Sequence, residues 1–216
     1  EALPATFIPD VEASPLPPSM PLGPDGFSVV ERVAMRVSVV TCDGYSNGSA
    51  WVLDEDTVVT NRHVVEGATE IRLTSYDGRR YTGTTSVLDE TADLALVDID
   101  GTFPEAATIG SDGPAENEQV YIVGYPEAGE LTTTQARYLG DVEESLDGGE
   151  DDVHVLAAVT KPGNSGSPVA DIDGDVVGVL YASDRAAASF AVTLTSLRGF
   201  LGSDADRVEN SADCSR

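Results

Sequence analysis

From about Ser28 onward, the chain is divided into short apolar runs of four to eight residues that are rich in Val, Thr and Tyr and end at Gly or Asp. Such runs are too short for most helices, and β-branched and aromatic residues favour strands. Twelve short strands with a turn about every ten residues are typical of a β-sandwich or β-barrel. The predicted strands are 36–41, 50–53, 57–60, 71–73, 80–87, 94–97, 120–124, 132–139, 154–157, 168–170, 176–182 and 189–192.

Turn and helix signals refine this all-β prediction. One helix is predicted over 195–201, before the stop signal Gly202, and a shorter one over 29–34. The strands divide near residues 110–118 into two halves, which predicts two six-stranded antiparallel barrels over about 28–112 and 113–203. Hairpin-type Asp-Gly dipeptides occur at 77–78, 147–148 and 173–174.

The first 27 residues differ from the rest of the chain in composition and in hydrophobic pattern. Seven of the twelve prolines lie within residues 1–24, where the sequence shows no helical or alternating pattern. Proline-rich segments of this kind are extended and semi-rigid. We therefore expect residues 1–27 to be a mostly extended linker and residues 28–216 to form one domain.

The charge of the chain excludes several classes of function. Asp and Glu number 38 against 12 Lys and Arg, which gives a formal net charge of −26. A nucleic-acid-binding protein needs a basic surface, and anionic membranes repel an acidic one. We therefore expect no nucleic-acid partner, and membrane attachment only through a segment outside this chain.

The chain has two cysteines, Cys42 and Cys214, which lie far apart in the sequence. Because two cysteines and two histidines are few ligands for a structural zinc site, we expect no bound metal. One interpretation is a single disulfide, which would indicate an oxidising compartment. The alternative is a buried thiol at Cys42 and a free thiol at Cys214.

The two histidines are the first candidates for acid–base chemistry near neutral pH. His63 follows an apolar strand at a point where the chain turns. His154 lies within an apolar strand, where a histidine is more often packed than catalytic. His63 is therefore the candidate general base.

Two further segments carry residues that suit acyl transfer. In the loop GNSGSP at 163–168, small residues allow a sharp turn that exposes the Ser165 hydroxyl and directs the amides of Gly163 and Ser165 to one point. An ordinary Gly/Ser/Pro turn is the alternative. Asp93 precedes an apolar strand, where it could orient a histidine or simply form a turn. The order His63, Asp93, Ser165 is less expected by chance than any one of these segments.

These segments resemble the chymotrypsin-fold, or trypsin-like, serine endopeptidases, and specifically their bacterial HtrA/Deg branch. The resemblance rests on TNRHVV at 60–65, ADLALV at 92–97 and GNSGSP at 163–168, with support from NGSA at 47–50 and VGYP at 123–126. It implies a nucleophile at Ser165, a base at His63, an orienting carboxylate at Asp93, and an oxyanion hole formed by the amides of Gly163 and Ser165. It implies no cofactor.

Within this branch, the chain is most similar to the MarP-like, membrane-anchored acid-resistance proteases of the actinobacterial periplasm. The proline-rich start and the positions of Cys42 and Cys214 carry this finer resemblance. It implies a disulfide between the two cysteines and a periplasmic or extracellular location, with a membrane anchor in the full-length protein. We expect a monomer.

The family mode of recognition implies that an extended protein or peptide substrate adds to the strand around Leu180, Tyr181 and Ala182. No acidic residue marks the segments expected to form the primary specificity pocket, so we expect preference for a small or medium apolar residue. Two alternatives to an anchored protease are a secreted free protease and a catalytically silent peptide-binding module on the same fold.

Overall fold

The computed structural model describes residues 19–89, 91–144, 151–184, 186–202, 207–210, 212 and 214. Within these ranges, the chain is mostly strand. The helices are α1 (Val29–Val33), α2 (Arg62–Val65) and α3 (Leu194–Gly202), with a 3-10 turn at Pro126–Ala128. The strands are β1 (Ala34–Thr41), β2 (Gly44–Val52), β3 (Thr57–Asn61), β4 (Ala68–Ser75), β5 (Arg80–Asp89), β6 (Leu94–Ile99), β7 (Gln119–Gly124), β8 (Thr132–Glu144), β9 (Asp151–Leu156), β10 (Pro168–Ala170), β11 (Val176–Ser183), β12 (Ser189–Thr193) and β13 (Arg207–Glu209).

The first six strands form a closed antiparallel barrel in the order β5-β4-β1-β2-β3-β6, and pairing of β5 with β6 closes it. Its interior is filled by Val, Ile, Leu and Met side chains, which along β1 alternate with partly exposed residues. The hairpin between β4 and β5 turns at Gly78, which has φ +85° as this turn requires.

The next six strands form a second closed barrel in the order β10-β11-β12-β9-β8-β7. Its core includes Val120, Ile122, Leu156 and Leu180. A further cluster around Trp51, Leu94, Leu197 and Phe200 joins strands of both barrels to α3. The predicted pair of six-stranded barrels with a short C-terminal helix is therefore confirmed.

Local details differ from the prediction in understandable ways. The chain contains a thirteenth strand, β13, which pairs with the end of β5 outside the first barrel. A three-residue strand with one apolar residue carries too little pattern to be read from sequence.

The predicted helix at 29–34 begins at a capping box, in which Ser28 and Glu31 bond each other's backbone amides. The predicted turn at 147–148 lies outside the described residues, as does most of the predicted linker.

The last residues of the predicted linker, 19–27, lie against the barrels. Met20 is buried beside Val30 and Tyr121, and Phe27 packs edge-on against Tyr76. These contacts attach the entering chain to the domain before α1 begins. Every helix in the described ranges is too short or too polar to cross a membrane.

The predicted disulfide between Cys42 and Cys214 is present, and it joins residues 172 positions apart. Cys42 follows β1, and Cys214 lies beyond β13. The bond therefore ties the end of the chain to the first barrel, on which β13 is already paired.

Reduction of this disulfide should destabilise the protein. The chain-entropy model gives about 5 kcal/mol as an upper estimate for so long a loop, and we expect a loss of about 2–5 kcal/mol in the free energy of unfolding. Urea unfolding with and without reductant measures this change. The double variant Cys42→Ser/Cys214→Ser serves as the control, because reductant should leave its midpoint unchanged. An equal midpoint for the oxidised and reduced parent would contradict the prediction.

Candidate active site

A cleft of about 340 Å³ is lined by predicted site residues from both barrels, while Asp93 is buried behind its wall. The first barrel contributes His63 and Asn47 to its lining, and the second contributes Ser165 with its loop. Further lining residues are Thr160, Lys161, Pro162, Gly163, Asn164, Leu180, Tyr181, Ala182 and Ser183.

His63 reaches this cleft because β3 ends in the short helix α2, which sequence reasoning described only as a turn. The Nδ1 atom of His63 lies 2.7 Å from Oδ2 of Asp93, and the amide of His63 donates to Oδ1 of the same carboxylate over 3.0 Å. The carboxylate therefore holds both the imidazole ring and its backbone. With Nδ1 bonded in this way, Nε2 is the atom available for proton transfer.

Asp93 is placed by backbone contacts rather than by a regular element. Its φ of +51° lies in the left-handed region, which Asp tolerates better than most residues, and its side chain is 5% exposed. Its carbonyl accepts from the Arg62 amide and from the side-chain amide of buried Asn61, both over 3.0 Å. The end of β3 thus positions the carboxylate that orients His63.

The loop that carries Ser165 depends on two glycines with positive φ. Gly163 has φ +96° and Gly166 has φ +85°. A Cβ on Gly166 would lie 2.0 Å from the Ser49 carbonyl oxygen, so only glycine fits there. The hydroxyl of Ser165 donates to the Tyr181 carbonyl over 3.4 Å, and it makes no direct hydrogen bond to His63.

The loop also presents two backbone amides with no partner among the described residues, those of Gly163 and Ser165. The Pro162 carbonyl accepts from the Glu127 amide over 2.6 Å. Because C=O and N–H point in opposite directions across a trans peptide, this bond turns the Gly163 amide away from Glu127. Free, fixed amides beside a serine hydroxyl are what an oxyanion hole requires.

Ser49, on β2 of the first barrel, fixes this loop, although sequence reasoning did not assign it a role. Its hydroxyl donates to the Gly163 carbonyl over 2.8 Å and accepts from the Tyr125 amide over 2.9 Å. Its amide donates to the Ser165 carbonyl over 2.7 Å. The only sequence signal was its place in the NGSA segment, since the partners lie more than 70 positions away.

Tyr125 strengthens the same junction between the barrels. Its hydroxyl donates to the Ala34 carbonyl over 3.4 Å. Burial raises the pKa of Tyr125 to about 12, so the phenol remains a neutral donor at ordinary pH.

The expected substrate-binding residues Leu180, Tyr181 and Ala182 line the cleft on β11. Leu180 is bonded to the serine loop, since its amide donates to Ser167 over 2.9 Å and its carbonyl accepts from Gly166 over 2.8 Å. The strand is irregular between Leu180 and Ala182. Strand β11 therefore supports the serine loop and forms a wall of the cleft.

His154 lies outside the cleft, as expected for a packed residue. It is buried, and its Nδ1 lies 2.5 Å from Oδ1 of Asp141. The described residues contain no group of three or more His, Cys, Asp or Glu side chains arranged to hold a metal ion.

A cleft of this composition between two antiparallel barrels is the arrangement of serine endopeptidases of the chymotrypsin type. The family model described as a trypsin-like peptidase domain matches residues 48–179. Because this match covers more than half of the chain, the chain belongs to the trypsin-like peptidase family.

Curated relatives place the chain in the HtrA branch. Mouse serine protease HTRA4 is 33% identical over 166 residues, which cover 72% of this chain and 34% of that protein. The serine protease Rv3671c of Mycobacterium tuberculosis is 28% identical over 181 residues, which cover 78% of this chain and 45% of that protein. The chain thus spans between a third and a half of the length of these relatives.

Solved structures confirm the fold. The active form of the Rv3671c protease superimposes with a TM-score of 0.77 at 24% identity, covering 98% of this chain and 100% of that one. The HtrA-type protease AlgW with a tripeptide gives a TM-score of 0.74 at 25% identity, covering 81% of this chain and 60% of that one. Together with the curated relatives, they confirm the resemblance to the HtrA/Deg branch and its MarP-like members.

Replacing Ser49 should weaken both the fold and the serine loop. Ser49→Ala leaves the Gly163 carbonyl and the Tyr125 amide without a buried partner, so we expect a loss of about 1–3 kcal/mol in the free energy of unfolding. Ser38→Ala, which removes an exposed hydroxyl from the neighbouring strand β1, is the matched control and should change stability by less than about 0.5 kcal/mol. Equal midpoints of urea unfolding for the two variants would disprove the role of Ser49.

Proposed function

We propose that this domain is an extracytoplasmic serine endopeptidase in which Ser165, His63 and Asp93 act as a catalytic triad. The observation that carries the proposal is the bonded His63–Asp93 pair, which shares one cleft with Ser165 and two unpartnered amides. Each member of this set has a distinct role in acyl transfer.

In the acylation step, Oγ of Ser165 attacks the scissile carbonyl while Nε2 of His63 takes the hydroxyl proton. The hydroxyl first exchanges its weak 3.4 Å bond to Tyr181 for one to Nε2. Asp93 stabilises the imidazolium that forms, and the amides of Gly163 and Ser165 stabilise the oxyanion. His63 then gives the proton to the leaving amine as the C–N bond breaks. A water molecule, activated by His63 in the same way, hydrolyses the acyl-enzyme.

The cleft suits an extended polypeptide whose primary side chain is uncharged. The lining residues include no carboxylate, and the one lysine, Lys161, is paired with Glu127 over 2.8 Å. Thr160, on the cleft wall, shares a 2.9 Å hydrogen bond with the Ser189 hydroxyl. These features support cleavage after a small or medium apolar residue, with the substrate lying along Leu180, Tyr181 and Ala182.

The proposed cellular location of the domain rests on the disulfide and on the family resemblance. The Cys42–Cys214 disulfide persists in oxidising compartments, which supports a periplasmic or extracellular location. The resemblance to MarP-like members of the HtrA branch supports the same location. We further propose that the domain acts as a monomer. In the full-length protein, a membrane anchor outside this chain would hold this protease domain, and the anchored protein would serve in stress or acid resistance. Residues 1–27 are then the linker to that anchor, and residues 28–216 the protease domain.

A fluorophosphonate probe distinguishes an active peptidase from a silent peptide-binding module. The oxidised protein should gain the mass of one adduct, because the probe reacts with an activated serine in a formed oxyanion hole. Ser165→Ala should gain none, whereas Ser38→Ala should be labelled like the parent. Intact mass spectrometry gives the result. Absence of an adduct on the parent between pH 5 and 8 would refute the proposed function.

Asp93→Asn tests the orienting role of the carboxylate. Asn has nearly the same shape and also tolerates the left-handed backbone, so the fold should be retained. An amide can fix the wrong tautomer of His63 and does not stabilise imidazolium, so we expect kcat to fall by a factor on the order of 10⁴. Asp98→Asn, an exposed position on the following strand β6, is the control and should keep full activity. Parent-like turnover of a peptide substrate by Asp93→Asn would contradict this role.

A further inference from the structure

The C-terminal part of the described chain reaches the short helix α2, which carries His63. Beyond β13, the side chain of Asn210 makes two hydrogen bonds at the end of this helix. Its Oδ1 accepts from the Gly67 amide and its Nδ2 donates to the Val65 carbonyl, each over 2.9 Å. Both partners lie more than 140 positions away in the sequence. The mechanism above uses none of these three residues.

The two bonds satisfy groups that α2 does not pair within itself. The last carbonyls of a helix, here including that of Val65, have no partner inside the helix. The chain leaves α2 through Gly67, whose φ of +67° is the left-handed conformation common just after a helix end. Rotating the Asn210 amide by 180° would set donor against donor and acceptor against acceptor, so its partners fix its orientation.

These bonds complete the attachment of α2 at both ends. So short a helix depends on contacts with the rest of the protein, because it has only one turn of its own. At its start, the Arg62 amide and the Asn61 side chain both donate to the Asp93 carbonyl over 3.0 Å. At its end, Asn210 supplies the two bonds described above. His63 lies between these two attachments.

The position of Asn210 is set by the first barrel and not by α2. Its amide donates to the Ser86 carbonyl over 2.9 Å, which continues the pairing of β13 with β5. Beyond Asn210, the Cys42–Cys214 disulfide attaches the same segment to the first barrel. Asn210 therefore gives the end of α2 a fixed point to which it is bonded.

The position of α2 in turn affects the separation between the two halves of the candidate site. Val64, the residue after His63, is buried against Gly48 of β2. A Cβ on Gly48 would lie 2.6 Å from Cγ1 of Val64 and 3.1 Å from the Ser165 carbonyl oxygen, so helix, strand and serine loop meet at this glycine. A shift of α2 would therefore move Nε2 of His63 relative to Oγ of Ser165.

We propose that Asn210 is a positioning residue for His63. By bonding the end of α2, it holds the imidazole at the distance from Ser165 that proton transfer requires, whereas Asp93 fixes the orientation of the ring. This role rests on the proposed function. A misplacement of about 1 Å can lower a rate about 10²-fold. The expected substrate-binding strand β11 lies in the other barrel, so the loss of Asn210 should affect kcat rather than KM.

Hydrolysis of a peptide substrate by the oxidised Asn210→Ala protein tests this role. We expect kcat to fall about 10- to 100-fold, with KM within about twofold of the parent value. Glu209→Gln, which changes the exposed neighbour on β13, should keep the parent kcat. A parent-like kcat in Asn210→Ala, or an increase in KM alone, would overturn the proposal.

Asn210→Asp provides a second variant of nearly the same shape. It keeps an acceptor for the Gly67 amide and loses the donor to the Val65 carbonyl, so kcat should fall here too. If Asn210→Ala does not fold, this variant decides the question, and a parent-like kcat would count against the role of Asn210.

Ser75→Ala separates positioning from a general loss of stability. The Ser75 hydroxyl is bonded to Oδ1 of Asp77 and to the Arg79 carbonyl, before the start of β5 and thus at the opposite end of that strand from the Ser86 contact. Ser75→Ala and Asn210→Ala should both lower the midpoint of urea unfolding, but only Asn210→Ala should lower kcat. Equal losses of kcat in the two variants would refute the proposal.

The Nδ1–H proton of His63 gives a readout that does not depend on turnover. This proton lies in the bond to Asp93, and the corresponding proton of His154, beside Asp141, serves as an internal reference. In the variants at Asn210, the His63 resonance should shift or broaden while the His154 resonance stays in place. An inactive parent would contradict the proposed function, whereas an unchanged His63 resonance would overturn the role of Asn210 whether or not the parent is active.

Discussion

The hydrogen bonds of Ser49 connect the two barrels at the candidate active site. One side chain of the first barrel holds the Gly163 carbonyl and the Tyr125 amide of the second, and its own amide holds the Ser165 carbonyl. The two halves of the candidate site come from different barrels, so a small shift between them would separate His63 from Ser165. Because these bonds are buried, water does not compete for them, and they fix the serine loop more firmly than surface contacts could.

The domain contains two hydrogen-bonded His–Asp pairs, His63–Asp93 and His154–Asp141, and their surroundings determine which imidazole is accessible to a substrate. The side chain of His63 is 44% exposed and faces an open cleft beside Ser165, so its free nitrogen can exchange protons with a substrate. The side chain of His154 is 5% exposed and lies among Gly178 of β11, Gly113 of the loop before β7 and the ring of Tyr138, so it is not available for proton transfer to a substrate.

The carboxylates that give the chain its net charge of −26 differ in whether a cation pairs with them. Among the described residues, few carboxylates are paired with cations, and the pairs lie in different settings: Glu105 bonds Arg32 of α1, and Glu70 bonds Arg72 on the same strand, β4. Strand β13 has only three residues, so its pairing with β5 alone would attach the C-terminal residues weakly to the first barrel. The Cys42–Cys214 disulfide adds a covalent link to that barrel.

Periodicity and turn chemistry determined the twelve main strands, their division into two barrels and the C-terminal helix, since these depend on neighbouring residues. The order and spacing of His63, Asp93 and Ser165, with the family resemblance, predicted the candidate site. The tertiary structure alone decided the pairing of β13, the role of Ser49, the left-handed backbone of Asp93, and the opposition of Glu143 to Asp152. Each depends on a contact between residues distant in sequence or on strand register, and a local pattern in a single sequence carries no record of which distant residue will be the partner.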